Sequence, residues 1–81
     1  MINFPRLKDM QVALLRSEFS TGIVLNKDYN KALNDDDEVY TVFDTKEDAL
    51  SYLKSVLPNK HDTEFVLYDK DQKVLQYIQP S

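Results

Sequence analysis

Two short β-like runs, Glu64-Phe-Val-Leu-Tyr68 and Lys73-Val-Leu-Gln-Tyr-Ile78, flank Asp69-Lys-Asp-Gln72 and constrain the fold more than any other part of the chain. Turn-favouring Asp residues between segments rich in β-branched and aromatic residues predict a hairpin. Pairing Tyr68 with Lys73 would set Leu67 against Val74, Val66 against Leu75 and Phe65 against Gln76. One face would then carry Phe65, Leu67, Val74 and Ile78, and the other Val66, Tyr68, Leu75 and Tyr77. Neither face is polar. A sheet with one wetted side alternates apolar with polar residues, so both faces of this hairpin require cover.

One source of cover is legible. Between Lys46 and Leu57, the residues Ala49, Leu50, Leu53, Val56 and Leu57 recur at helical spacing, and Lys46, Glu47, Asp48, Ser51, Lys54 and Ser55 fill the opposite side. Thr45 is placed to cap the first turn. Asp48, three residues on, completes a short capping box, and both Glu47 and Asp48 sit favourably at the positive end of the helix dipole. Pro58 disfavours helical geometry at Leu57 and predicts the stop. A helix of twelve residues covers one sheet face only.

Upstream, Glu38-Val-Tyr-Thr-Val-Phe43 reads as a strand leading into the cap. The N-terminal third is ambiguous, because Val12-Ala-Leu-Leu15 suits either a buried strand or a helix. The β-like run Gly22-Ile-Val-Leu-Asn26 needs a neighbour, which favours a strand near 10–16, a turn across 17–21 and a second strand at 22–26. Residues 26–37 read as a polar surface connection.

Size and charge bound the function. The chain has 81 residues and no cysteine, so neither a disulfide framework nor a thiolate zinc site can reinforce the core. It is read as a single domain spanning residues 1–81. No apolar run approaches the length of a membrane span, and no secretory pattern opens the sequence, so a cytoplasmic protein is expected. The net charge of −4 is unevenly spread. Residues 28–48 hold eight acids against Lys31 and Lys46, whereas residues 1–27 are net positive. An acidic middle opposes binding to a phosphate backbone and points to a basic protein partner.

Candidate motifs have plain structural explanations. Asn34-Asp-Asp-Asp-Glu38 offers carboxylates to a hard cation but lacks the alternate spacing and the glycine of a calcium loop. Asp35, Asp36, Asp37 and Glu38 are therefore assigned as candidate partner-binding residues, with no metal and no cofactor expected. Asp69 and Asp71 read as turn residues. His61 is the only histidine and sits in a polar connection with no evident partner for proton transfer. Ser17, Ser20, Thr21 and Ser51 fit no nucleophile motif, and the single glycine, Gly22, excludes a phosphate-cradling loop. No catalytic residues are assigned.

From 39 to 78 the pattern Val42-Phe-Asp-Thr-Lys46, Ala49 in the helix, and Tyr68-Asp-Lys-Asp71 at the hairpin resembles small bacterial β-β-α-β-β domains of unknown function. The resemblance implies the architecture and no activity. Those domains usually carry Gly after Asp-Lys-Asp, where this chain has Gln72.

The expectation is thus an α+β fold, with an antiparallel sheet of four or five strands and one main amphipathic helix in the order β-β-β-α-β-β. The helix should pack on Phe65, Leu67, Val74 and Ile78. The face bearing Val66, Tyr68, Leu75 and Tyr77 should meet the N-terminal segment or a second copy, making a homodimer. Function is expected to be non-enzymatic, a small binding or regulatory module acting through protein contacts. The alternative is a single-stranded nucleic-acid binder that stacks bases on Tyr68, Tyr77 and Tyr40.

Overall fold

The computed structural model describes residues 4–32 and 38–80. Its elements are β1 (Val12–Glu18), β2 (Val24–Leu25), β3 (Tyr40–Phe43), α1 (Lys46–Val56), β4 (Thr63–Tyr68) and β5 (Val74–Ile78), with a 3-10 turn over Leu57–Asn59. They form a five-stranded antiparallel sheet with one helix, as the α+β reading expects.

β1 is the centre of the sheet. One of its edges pairs along its length with β4, from Ala13 against Tyr68 to Glu18 against Thr63. The other edge is shared, with β3 on its first half (Val12 against Phe43) and β2 on its second (Arg16 against Leu25). β5 lies outside β4. β3 and β4 both run antiparallel to β1, so they are parallel to each other, and α1 connects them across the strand between. This arrangement resolves the ambiguity of Val12-Ala-Leu-Leu15. Val12, Ala13 and Leu14 are all buried, which is the burial of a strand covered on both faces rather than of an amphipathic helix.

On the helix side, Val12, Leu14, Phe65 and Leu67 meet Ala49 and Leu53, and Phe43, Leu50, Tyr52, Val56, Leu57 and Ile78 close the rim. The Thr45 hydroxyl caps α1 by accepting from the Asp48 amide at 3.1 Å. On the opposite side Ala13 is fully buried although its own side chain is one methyl group. Phe4 lies above, its ring edge-on to Tyr40 at 5.1 Å and to Tyr68 at 5.8 Å between centroids. The N-terminal segment thus covers the middle of the second face.

Three local expectations are corrected. The hairpin register is Phe65 against Ile78, Val66 against Tyr77, Leu67 against Gln76 and Tyr68 against Val74, leaving Leu75 as the extra residue of an irregularity. A turn longer by one residue, with the Asp69 amide donating to the Lys73 carbonyl, shifts the pairing by one at Tyr68 and sets Val74 on the Tyr68 face, and the extra Leu75 makes the shift two from Leu67 onward. Val74 consequently leaves the helix side and is 59% exposed, and Val12 and Leu14 of β1 supply the packing assigned to it. Pro58 does not end the helical path at Leu57, whose φ of −54° and ψ of −41° remain helical; Pro58 occupies the first turn of the 3-10 segment, where its missing N–H is no loss, and the path stops after Asn59. β2 is shorter than 22–26, because only Val24 and Leu25 find partners on β1.

Gln72 takes a φ of +63°, the left-handed conformation that glycine adopts at least cost. Gln72→Gly should therefore stabilise the protein by about 0.5–1 kcal/mol, the usual penalty for a side chain in that region less the added entropy of glycine in the unfolded chain. A higher urea midpoint at unchanged slope would show it; no rise would mean the turn relaxes without strain.

Candidate functional site

The outer edge of the sheet is the least protected part of the described chain. β5 is exposed from Val74 through Tyr77, and no charged residue stands between Val74 and Pro80. Sheets commonly guard such edges with inward-pointing charges, lysines or covering loops. Here the irregularity at Leu75 is the one such device on the strand itself. Alongside β5 runs a groove of about 300 Å³ between strand and helix, lined by Leu50, Leu53, Lys54, Leu57, Gln76 and Ile78. It exists because α1 sits over β1 and β4 and stops short of β5. An added strand would find unpaired backbone groups on the edge and apolar side chains beside it.

The four residues assigned to an interaction face divide between covered and open. Tyr68 is half-buried beneath Phe4 and 6.3 Å from the Tyr40 ring. Val66, opposite Tyr77, is half-buried too. Tyr77 and Leu75 are exposed. The Glu64 carboxylate joins three strands on this face, accepting from the Ser17 hydroxyl at 2.8 Å and from the Tyr77 hydroxyl. That carboxylate, with some burial, pushes the Tyr77 hydroxyl pKa upward.

Of the acidic run, Asp35, Asp36 and Asp37 lie outside the described residues. Glu38 is exposed and pairs with Lys27 at 2.9 Å. Asp69 is a turn residue as expected, one carboxylate oxygen accepting from the amides of Asp71 and Lys73, each at 2.9 Å. Ser20 and Thr21 bond Asp62 and Glu18, and His61 is exposed in the turn before β4. A second concavity, about 490 Å³, lies at the hairpin end between Met10, Val12, Lys46, Glu47, Lys70 and Leu75. Across its mouth Lys70 bonds Asp9 and holds that carboxyl below its ordinary range.

Sequence reasoning missed one cluster altogether. Arg16 is 1% exposed on the helix side of β1, opposite Phe65 and Leu25. One terminal nitrogen donates to the Thr41 hydroxyl at 2.9 Å, while Nε and Nη1 have no partner among the described residues. The guanidinium carbon stands 5.0 Å from the centroid of Tyr29, and Lys60 Nζ is 4.1 Å from the same centroid. The Tyr29 hydroxyl bonds that of Tyr52 at 2.7 Å, tying the 26–32 segment to α1. A desolvated cation–π contact contributes about 2 kcal/mol, whereas removing a charge from water costs several, so this guanidinium is poorly compensated. The sequence signal was an Arg inside a β-like apolar run, at a position whose neighbours two residues away point to the core.

Burial, and then the bond to Tyr52, push the Tyr29 pKa up to about 12 from 10.0. The folded chain therefore holds this proton more tightly than the unfolded chain does. The resulting stability is complete below the unfolded value near pH 10 and is lost as pH rises through about 12. Alkaline unfolding should coincide with the last tyrosinate absorbance to appear, and Tyr29→Phe should separate the two events. Coincident transitions in that variant would assign the unfolding to other groups.

Among the described residues no group of His, Cys, Asp or Glu side chains is arranged to hold a metal ion, and no helix is long and apolar enough to cross a membrane. No protein family, curated protein or solved structure matches this chain.

Proposed function

We propose that this protein is a non-enzymatic binding module acting through protein contacts, with the β5 edge as its principal surface and a second copy of itself as the first partner. The observation that carries the reading is the exposure of Val74–Tyr77 on an uncharged edge strand beside the Leu50, Leu53, Leu57 and Ile78 groove. A second copy suits this edge for a reason of symmetry. Antiparallel pairing about Gln76 sets the two Gln76 residues opposite each other and keeps the two Lys73 side chains at opposite ends.

Sedimentation at micromolar concentration is expected to report a dimer. Val74→Lys with Leu75→Lys should dissociate it without harming the fold, since both residues are exposed in the monomer. A monomer in the unsubstituted protein would remove the homodimer, and a dimer indifferent to the double substitution would move the interface elsewhere.

The acidic run is the proposed second surface, for a basic partner. Charge reversal at Asp35, Asp36 and Asp37 should weaken capture of such a partner at unchanged stability. The nucleic-acid alternative is less well supported, because Tyr40 and Tyr68 are engaged by Phe4, and Tyr77 is bonded to an anionic carboxylate that would repel phosphates.

A further inference from the structure

We infer that Arg16 is the floor of an oxyanion-binding site that the Tyr29 ring closes. The site is separate from the β5 edge and is built from β1, β3, α1 and the 26–32 segment. Its floor is a guanidinium with two of three nitrogens lacking an acceptor among the described residues, although the side chain is almost entirely buried. Buried guanidinium groups are normally satisfied by carboxylate or phosphate oxygens, which match their planar donor geometry. Here the described surroundings offer one neutral hydroxyl, from Thr41, and the face of one aromatic ring.

The closing group is itself held at a disadvantage. Tyr29 adopts a φ of +66°, unusual for a bulky side chain, within a tight loop where the Asn26 side chain accepts from the amides of Asp28 and Asn30 at 2.9 and 3.1 Å. The ring is half-buried and is retained by the Tyr52 hydroxyl bond, the two cation contacts and an edge-on contact with Phe65. An oxyanion reaching Arg16 would replace a ring quadrupole by a full negative charge. It would also gain Lys60, which stands beside the same ring, and would free Tyr29 to leave its strained conformation. The chemistry that fits is a carboxylate or a phosphate group small enough to occupy the space of a phenol ring. A cation or a neutral apolar ligand has no counterpart in the cluster.

The test uses the full chain with inorganic phosphate and with acetate, each against chloride at equal ionic strength. Binding is read from the Arg16 Nε–H resonance and from those of Tyr29. Saturable shifts with phosphate or acetate and none with chloride are expected, and the tighter of the two identifies the oxyanion class. Tyr29→Gly removes the closing ring and suits a positive φ, so it should tighten binding on the order of tenfold by removing the closed state's competition. Arg16→Met should fold, because an apolar side chain of similar length replaces a poorly compensated charge, and should abolish the shifts. The inference is overturned if neither anion gives a saturable shift, if Arg16→Met responds like the unsubstituted protein, or if Tyr29→Gly binds no more tightly. If Arg16→Met does not fold, the Tyr29→Gly comparison decides alone.

Discussion

Phe65→Ala is expected to lower stability by about 3–5 kcal/mol, a large share of the total for a domain of this size. Phe65 is fully buried on β4, between Arg16 on β1 and Ile78 on β5, with the Tyr29 ring edge-on to it at 6.5 Å. The cavity left by its ring would border the central strand, the Arg16 cluster and the helix at once. Collapse into that space is opposed by the backbone pairing of β1 and β4, so little of the loss should be recovered by relaxation. Urea unfolding followed by far-UV circular dichroism measures the effect. A loss below about 1 kcal/mol would mean that Phe65 does not occupy the centre of the core.

Leu53→Ala follows, with an expected loss of about 2–4 kcal/mol. α1 buries only two residues completely, Ala49 and Leu53, and Ala49 has only a methyl group to anchor with. Leu53 also lines the groove beside β5. Its truncation should therefore loosen the helix preferentially, seen as faster amide exchange across Lys46–Val56 than across β1 and β4. Uniform acceleration over all elements would show instead that helix and sheet open as one unit.

These two residues also mark how far the sequence reached. Helical spacing singled out Ala49 and Leu53, and strand alternation singled out Phe65 and Leu67, because each pattern is set by bond geometry within one element. The Thr45 cap was legible for the same reason, being a contact over three residues. The pairing of β5 was misplaced by one residue at Tyr68, since the turn between Asp69 and Lys73 is decided by whether Gln72 accepts a left-handed conformation, and by two beyond the irregularity at Leu75. Propensity argued against that conformation, and the pairing of the two strands outweighs it.

The proposed interaction surface was half legible. An excess of apolar sheet face over available helix follows from counting residues along the chain. Where that excess remains open does not, because Phe4 and β5 are far apart in sequence and compete to be cover. The structure spends Phe4 on Tyr40 and Tyr68, so the expected tyrosine face is largely closed and the opening moves outward to Leu75, Tyr77 and the groove under α1. Of the Arg16 cluster, only the arginine within an apolar run was legible. The cluster joins residues from β1, β3, α1 and two connections, and no periodicity relates positions 16, 29, 41, 52 and 60.

What the sequence determined by itself was therefore the class of fold: that the segments flanking the helix are strands, where the helix begins, and that one helix is too little for two apolar faces. Those are consequences of local stereochemistry and of side-chain alternation. Only the tertiary structure decided that β1 is central, that β2 and β3 share its edge, that β5 is left unguarded, and that a lone guanidinium lies under Tyr29. Each of these depends on packing between residues distant in the chain, where the favourable contact is chosen by the competition among all segments for the same buried surface.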